Sequence, residues 1–453
     1  MKIKLIIISL LLLTSMSYSN IIIVPTEQPT IQAGIDAATE HDTVLVADGT
    51  YTGDGNGDVD FNGKNLVLMS ENGPEFTIIS PPGGVKVQNG EDETTVIEGF
   101  TIKYGSVSAL KVSNNSSPKV INCIFTYNHR AVYCSDSSPD FINCIFSFNS
   151  IYEPPDSPNA ARGGAMYIVN SSPTLTGCFF YGNFVGYGFI GEWDYSFSDE
   201  NAIAEGGAVY IGDCSAQSSL PIFDGCTFYN NSAQAGAGWW VQEPFALFPD
   251  YWYLGAVVAE GGAIYTETPI TINNCNFVLN SVFATNQALG LTNYLYFSES
   301  AIYGCNNGNV NISCSNLFNN LRGDTEWNWT GCISDQAGIN GNFSADPLFC
   351  DTDNRDFHLR GNSPCAPDNN SCGELVGALD VGCIEFSCTD VNNDNLTNIA
   401  DIQFFQSYYF ECDIAPEPFW LGDLNCDEEV NLLDLTILSN YVFDNNITLC
   451  CNK

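Results

Sequence analysis

CIFTYN, residues 123–128, returns four times along the chain. The copies are CIFSFN from Cys144, CFFYGN from Cys178, CTFYNN from Cys226 and CNFVLN from Cys275, all of the form C-x-F-x-x-N. An apolar residue stands three positions before each cysteine: Val120, Phe141, Leu175, Phe223 and Ile272. CSNLFN, from Cys314, reads as a degenerate sixth copy without the phenylalanine. Downstream comes Ala-x-Tyr, three times as Gly-Gly-Ala-x-Tyr, at Ala165–Tyr167, Ala208–Tyr210 and Ala263–Tyr265. Self-similarity at a period of about 20–50 residues marks units that bury their apolar faces on one another.

The first two copies are 21 residues apart, which suits one coil of a parallel β-helix with short strands and tight corners. Such coils stack at about 4.8 Å, so equivalent residues form columns. Cysteine and phenylalanine columns would fill the interior as small and large apolar groups. The asparagines would sit at a corner, where stacked amides can hydrogen-bond along the axis. Parallel crossovers are overwhelmingly right-handed, so a right-handed coil is expected. Open strand edges need covering. At the start, TIQAGIDAATEHDTVLVADGTY (30–51) supplies a cover: Thr30 caps a helix with Ile31, Ile35 and Ala38 on one face, followed by a strand at Thr43–Ala47. The expected fold class is therefore all-β, a right-handed parallel β-helix solenoid with an N-terminal capping helix, plus a small α-helical C-terminal domain.

PTIQAGIDAATEHDTVLVADGTY resembles the first coil of pectin-lyase-fold, right-handed parallel β-helix proteins, pectin methylesterase relatives among them. ADPLFC (345–350) and DFHLRGNSPCA (356–366) resemble the closing coils of bacterial members. The resemblance spans most of Ile21–Cys383 and implies the fold. It does not carry over a catalytic residue. Hydrolases and lyases of this fold use aspartate clusters with Gly-His-Gly, or a basic residue beside a calcium site, and His41, His129 and His358 lie in no such motif.

The chain has 453 residues and a formal net charge of −40, with 13 Lys and Arg against 53 Asp and Glu. Such a surface repels nucleic acid and anionic membranes and attracts metal cations. MKIKLIIISLLLLTSMSYSN opens with Lys2 and Lys4 before an apolar run from Leu5 to Leu13. That pattern predicts an export signal over residues 1–19 and a secreted, extracellular or surface-attached mature chain without a transmembrane segment. The expected division is the β-helix over 20–385 and a small module over 386–453. Nineteen cysteines fall into two populations. The six periodic ones, Cys314 included, read as buried thiols. Those from Cys332 onward read as disulfides stapling the solenoid's end and the small module, with short loops such as 365–372 and connectivity left open.

Cysteine spacing grows from 21 to 34, 48 and 49, then falls to 39. Each insertion enters after the corner Asn and leaves before Ala-x-Tyr, so all emerge on one side. The insertions at 184–205 and 232–260 hold Trp193, Trp239, Trp240 and Trp252, and that at 281–300 adds Phe283, Tyr294, Tyr296 and Phe297. These aromatics form a candidate platform for polysaccharide; the alternative is loops that bury their own rings against one another. Where the insertions rejoin the coil stand Arg162, Glu205 and Glu260, each just before Gly-Gly-Ala. In adjacent coils the two glutamates would lie about 5 Å apart, a separation that raises one pKa and matches paired carboxylates of retaining glycosidases. The alternative is a structural edge on which Arg162 neutralises Glu205. DGNGDVD (54–60) alternates acids without a following helix and reads as a turn.

GDLNCDEEVNLLDLTILSNYVF (422–443) places oxygen-bearing groups at positions 1, 3, 5, 7, 9 and 12 of a calcium loop: Asp423, Asn425, Asp427, Glu429 through its carbonyl, Asn431 and Asp434. The same frame occurs 33 residues earlier with Asp390, Asn392, Asp394, Leu396 through its carbonyl, Asn398 and Asp401. Each loop feeds an apolar helix, and two calcium sites are expected. The pair resembles a type I dockerin over about Cys388–Cys450, which implies calcium-dependent folding and docking to a cohesin-like protein or cell-surface scaffold. By the same resemblance, Ile399–Ala400 and Leu432–Leu433 would make an apolar contact with that partner. Position 6, usually glycine, is Asn395 and Glu428 here. The preferred functional expectation is a docked, glycan-facing β-helix. The alternatives are a glycoside hydrolase or polysaccharide lyase, and a non-enzymatic structural adhesin.

Overall fold

The computed structural model describes residues 19–80, 83–153, 160–187, 202–214, 219–237, 257–286, 295–298, 301–304, 310–383, 391, 399–411, 424 and 430–444. The chain forms two compact units, residues 1–347 with 364–379, and residues 348–363 with 380–453.

The first unit is a parallel β-helix-like solenoid. Three long sheets, all parallel, run along it. The first has ten strands, from Ile21–Val24 to Val310–Ser313; the second has nine, from Gly49–Tyr51 to Asn316–Phe318; the third has eight, from Asp58–Asp60 to Ile302–Tyr303. Successive strands visit the three sheets in turn, so each coil pairs only with the coil before and after it. The register is in step: Val120 pairs with Phe141, Phe125 with Phe146, and Val132 with Met166. Strands of three or four residues send alternate side chains inward. Hence Val120, Phe125 and Val132 are buried, and so are their equivalents in the next coils.

The columns are visible side chain by side chain. Phe125, Phe146, Phe180, Phe228 and Phe277 stack with centroids 5.1, 4.7, 4.6 and 4.7 Å apart and interplanar angles of at most 14°. Cys123, Cys144, Cys178, Cys226 and Cys275 are buried thiols in the neighbouring column. At the next corner the buried asparagines form a ladder: Nδ2 of Asn149 donates to Asn183 Oδ1 (3.0 Å), and Nδ2 of Asn183 to Asn231 Oδ1 (2.9 Å). Each Nδ2 also donates to the carbonyl of a core residue one coil back, as Asn183 does to Phe146 O at 2.8 Å. Both amide protons are thereby used, which is what lets a polar column sit in a buried corner.

The sixth repeat corrects the sequence frame. Asn316 pairs with Asn276 and Leu317 with Phe277, so Ser315 occupies the cysteine column and Leu317 the phenylalanine column. Cys314 lies one residue earlier, at the turn between the first two sheets, where the backbone is left-handed (φ +50°). The five preceding coils place Asn122, Asn143, Gly177, Gly225 and Asn274 there, residue types that tolerate that conformation. Cys314 is no buried thiol: it is disulfide-bonded to Cys372 across a sequence separation of 58. Cys372 thus reaches across the chain and not to nearby Cys365.

At the amino-terminal end the strand Ile21–Val24 pairs with Thr43–Val46, and helix α1 (Ile31–Ala37) covers the end of the interior. Thr30 Oγ1 accepts from Ala33 N (3.2 Å), and Ile31, Ile35 and Ala38 are buried as the spacing predicts. The acidic stretch 54–60 is a turn and strand, its Asn56 Oδ1 accepting from Ile31 N (2.9 Å) and its Asp58 paired with Lys86.

In the second unit, strands Phe349–Asp351 and Asp356–Leu359 form an antiparallel hairpin, and Cys350 is bonded to Cys383. Helices α2 (Ile399–Glu411) and α3 (Leu432–Asp444) share a small core of Val391, Ile402, Phe405, Leu424, Leu435 and Leu438. Among the described residues no helix is long and apolar enough to cross a membrane.

Candidate functional site

The insertions leave and rejoin the solenoid through two further sheets. Outgoing strands Ser150–Glu153, Phe184–Tyr187, Ser232–Ala237 and Ser281–Asn286 pair in parallel within a six-stranded sheet. Returning strands Ala161–Arg162, Ala202–Glu205, Val257–Glu260 and Leu295–Ser298 form a four-stranded one. The two face each other across a second apolar core built mostly of small residues: Ala161, Ala204, Ala233, Ala235, Ala259 and Ala284, with Ile151, Val185, Tyr187, Val257 and Val282. Small side chains allow the two layers to approach closely, so insertions of unequal length share one root.

The returning sheet places Arg162, Glu205 and Glu260 in a single column, Arg162 paired in register with Glu205 and Glu205 with Glu260. Gly-Gly follows each because of the turn back into the solenoid. Gly206 is left-handed (φ +68°), and a Cβ on Gly207 would stand 2.1 Å from Gly262 O. No side chain fits at the second position, and few fit at the first.

Arg162 and Glu205 of this column also reach the tyrosine column of the third sheet. Tyr133, Tyr167, Tyr210, Tyr265 and Tyr303 stack at 5.1–5.6 Å. The Arg162 guanidinium lies 4.7 Å from the Tyr210 ring centroid, one coil on, while its Nε donates to Glu205 Oε2 at 2.6 Å. Tyr265 lies close enough to Glu205 for the two to interact, and Tyr210 donates to Glu267 Oε1 at 2.8 Å. Arg130 repeats the arrangement over Tyr167 at 5.1 Å.

Glu205 is only 5% exposed. Burial pushes its carboxyl above the usual range, and Arg162 pulls it back without fully offsetting the shift. Burial is also the leading cause that raises Tyr210 and Tyr265, with the surrounding glutamates adding to it. Chemically, the column offers one carboxyl held toward its protonated form beside a second, half-buried one, Glu260, and a cation already committed to the first.

Tyr210, Tyr265 and Glu267 belong to this cluster and were not among the site residues expected from sequence, whereas Arg130 stands out there with Arg162 as a basic residue in a chain with few. Ala-x-Tyr is legible as a repeat; the one-coil stagger that brings its tyrosine under the preceding coil's arginine or glutamate is not. The candidate platform residues Trp193, Trp239, Trp240 and Trp252 lie outside the described residues.

Of the expected calcium ligands, Asp390, Asn392, Asp394, Leu396, Asn398, Asp423, Asn425, Asp427 and Glu429 lie outside the described residues. Asp401 and Asp434 are described, both fully buried, and each is the third residue of its helix. Asp434 Oδ2 accepts from Asn431 N (2.9 Å) while Asn431 Oδ1 accepts from Leu433 N (2.8 Å), a reciprocal cap of α3. A cap does not account for Asp434 Oδ1, which accepts from Leu424 N, ten residues back, at 2.8 Å. That bond closes the loop on its last carboxylate. An ionised carboxylate is an oxygen donor of the kind that hard cations take.

The chain matches no family model and no curated protein.

Proposed function

We propose that this is an exported protein whose right-handed β-helix presents a polysaccharide-facing surface, with a dockerin-like module holding it to a cohesin-like or cell-surface partner through calcium. The observation that carries the glycan-facing half is the paired root of the insertions. Two stacked parallel sheets bring the outgoing and returning arms of successive insertions out at one phase of the coil. The tryptophans of 184–205 and 232–260 themselves lie outside the described residues, and the reading takes them to be the sugar-stacking groups.

For the module, support comes from two equivalent buried aspartates, Asp401 and Asp434, at the same place in two helices. The first site would be held by Asp390, Asn392, Asp394, Leu396, Asn398 and Asp401, the second by Asp423, Asn425, Asp427, Glu429, Asn431 and Asp434. The ion would supply the charge that neutralises these crowded carboxylates. Ile399, Leu432 and Leu433 are 56%, 49% and 54% exposed, which suits an apolar partner contact at the helix starts.

A second reading is an enzyme, a glycoside hydrolase or polysaccharide lyase, and it is favoured by one observation: Glu205 is raised by burial beside Glu260 in the same column. A glycan array and a polysaccharide-degradation panel on the full chain separate the readings. Binding without turnover supports the docked binder. Turnover abolished in Glu205→Gln or Glu260→Gln supports the enzyme. Silence in both assays leaves the structural adhesin.

A further inference from the structure

The six-stranded sheet turns one face onto the second core and the other outward. Ile151, Val185, Ala233 and Val282 point inward and are buried. One residue on, Tyr152, Gly186, Gln234 and Phe283 pair in register as an outward column. Tyr152 and Phe283 are 42% and 45% exposed. Gly186 is the telling member. Glycine weakens a strand interior, and the backbone here is not left-handed, so conformation does not require it. A Cβ at 186 would stand 2.6 Å from Phe184 Cε1 and 3.2 Å from Tyr152 Cδ2, so a larger residue would displace the Phe184 ring. Edge atoms of two rings thus lie near the glycine, one of a half-buried Phe184 and one of an exposed Tyr152. Beside them, Gln234 Nε2 donates to Ser232 Oγ at 3.2 Å, and Ser281 Oγ to Ser232 Oγ at 3.1 Å.

We infer that this outer face binds an extended, neutral polysaccharide lying along the stacking axis. Sugar C–H faces rest on Tyr152, Phe184 and Phe283, and sugar hydroxyls meet Gln234 and the serine hydroxyls. The inference rests on the polysaccharide reading and gives it a place on the described strands, apart from the tryptophans of 184–205 and 232–260. Charge selects the occupant. The outward column is uncharged on a chain of formal net charge −40, so an anionic polymer is repelled and a second copy would bring the same charge to the face. Ring faces alternating with hydroxyl and amide groups match a polyol whose rings are apolar on one side.

The test is affinity electrophoresis of the full chain in gels containing xylan, mannan, mixed-linkage glucan or, as the anionic case, polygalacturonate. Tyr152→Ala, Phe283→Ala and Gly186→Val are compared with Trp193→Ala and Trp239→Ala, and thermal melting confirms folding of each. Expected are retardation by a neutral polymer, a loss of about tenfold in affinity in Tyr152→Ala and Phe283→Ala, and a loss in Gly186→Val with the melting midpoint of the exposed-ring variants unchanged. Neutral-polymer binding that survives the combined Tyr152→Ala and Phe283→Ala change but is lost in the tryptophan variants overturns this inference and leaves the broader reading standing. Retardation by polygalacturonate alone overturns it as well. No retardation in any gel removes the polysaccharide reading itself.

Discussion

Arg162 Nε lies 2.6 Å from Glu205 Oε2, and the two residues are register partners in adjacent coils. The same guanidinium covers Tyr210, so one cation serves a buried carboxylate and a buried ring together. Glu205 nevertheless sits above the ordinary carboxylate range because burial outweighs the pairing.

The sign of its pH dependence follows. A carboxyl raised on folding binds its proton more tightly in the folded than in the unfolded chain. Its contribution is fully present below the unfolded pKa and fades as pH climbs through the raised, folded one. The stability of the native protein relative to Glu205→Gln should therefore decline from acidic toward neutral pH. Thermal melts of both proteins across that window check it; a difference that stays flat or widens with pH would contradict the burial argument.

Removing the cation tests the other half. Arg162→Met leaves Glu205 buried without its partner and uncovers Tyr210. Stranding a buried charge costs about 3–5 kcal/mol, but Arg162 is 33% exposed and solvent screens the pair, so about 1–2 kcal/mol is expected. The loss should shrink in the Arg162→Met, Glu205→Gln double variant, measured by denaturant unfolding. Equal losses in single and double variants would mean the two residues do not act as a pair.

The asparagine ladder makes a sharper demand. Asn183 accepts from Asn149 Nδ2 and donates to both Asn231 Oδ1 and Phe146 O. Asn183→Ala leaves the Asn149 backbone N–H and one of its Nδ2 protons without an acceptor in a buried corner, and removes a donor from Phe146 O and from Asn231 Oδ1, at about 1–3 kcal/mol for each group left unsatisfied. A loss of about 3 kcal/mol or more in unfolding free energy is expected. A loss under about 1 kcal/mol would show that water replaces the amide.

Cys314 and the column cysteines should separate in a thiol assay. Cys123, Cys144, Cys178, Cys226 and Cys275 are buried. They should resist alkylation of the native protein and react on unfolding. Cys372→Ser opens a loop with a sequence separation of 58, which the chain-entropy account values at about 4 kcal/mol. A fall in melting temperature for Cys372→Ser much larger than for Cys226→Ala is expected; the reverse ranking would place the staple elsewhere.

The columns were legible because a solenoid maps sequence phase directly onto position. Cys123 to Asn128 fixes a corner, a strand and a second corner, and every later copy inherits them. The sixth copy misled because the eye follows cysteine, whereas the backbone follows the left-handed turn: Asn or Gly precedes each column cysteine, and Cys314 takes that place ahead of Ser315. The same phase rule brought Arg162, Glu205 and Glu260 together correctly. It could not show that Tyr210 and Tyr265 complete the cluster, since contact there runs between a returning arm and the next coil. Nor could it reveal the alanine-rich second core, whose residues resemble any loop base until two sheets are seen face to face.

The C-terminal unit offers the last test, and Asp434 is its lever. Its two oxygens reach Leu424 N and Asn431 N, at the second and ninth positions of the proposed loop. If the loop closes only around a divalent ion, chelation should release both bonds, fray the start of α3 and open the small core that Leu424, Leu435 and Leu438 share with α2. Excess EDTA should then lower the helical circular-dichroism signal of the full chain, leave its β signal intact, and be reversed by calcium. Asp434→Ala should show that lowered signal without EDTA and regain little of it on adding calcium. A reciprocal helix cap alone predicts something different: loss of about 1 kcal/mol in Asp434→Ala and no response of the native protein to chelator. An EDTA-insensitive spectrum, with no heat of calcium binding by titration calorimetry, would assign Asp434 to the cap and remove calcium from the reading.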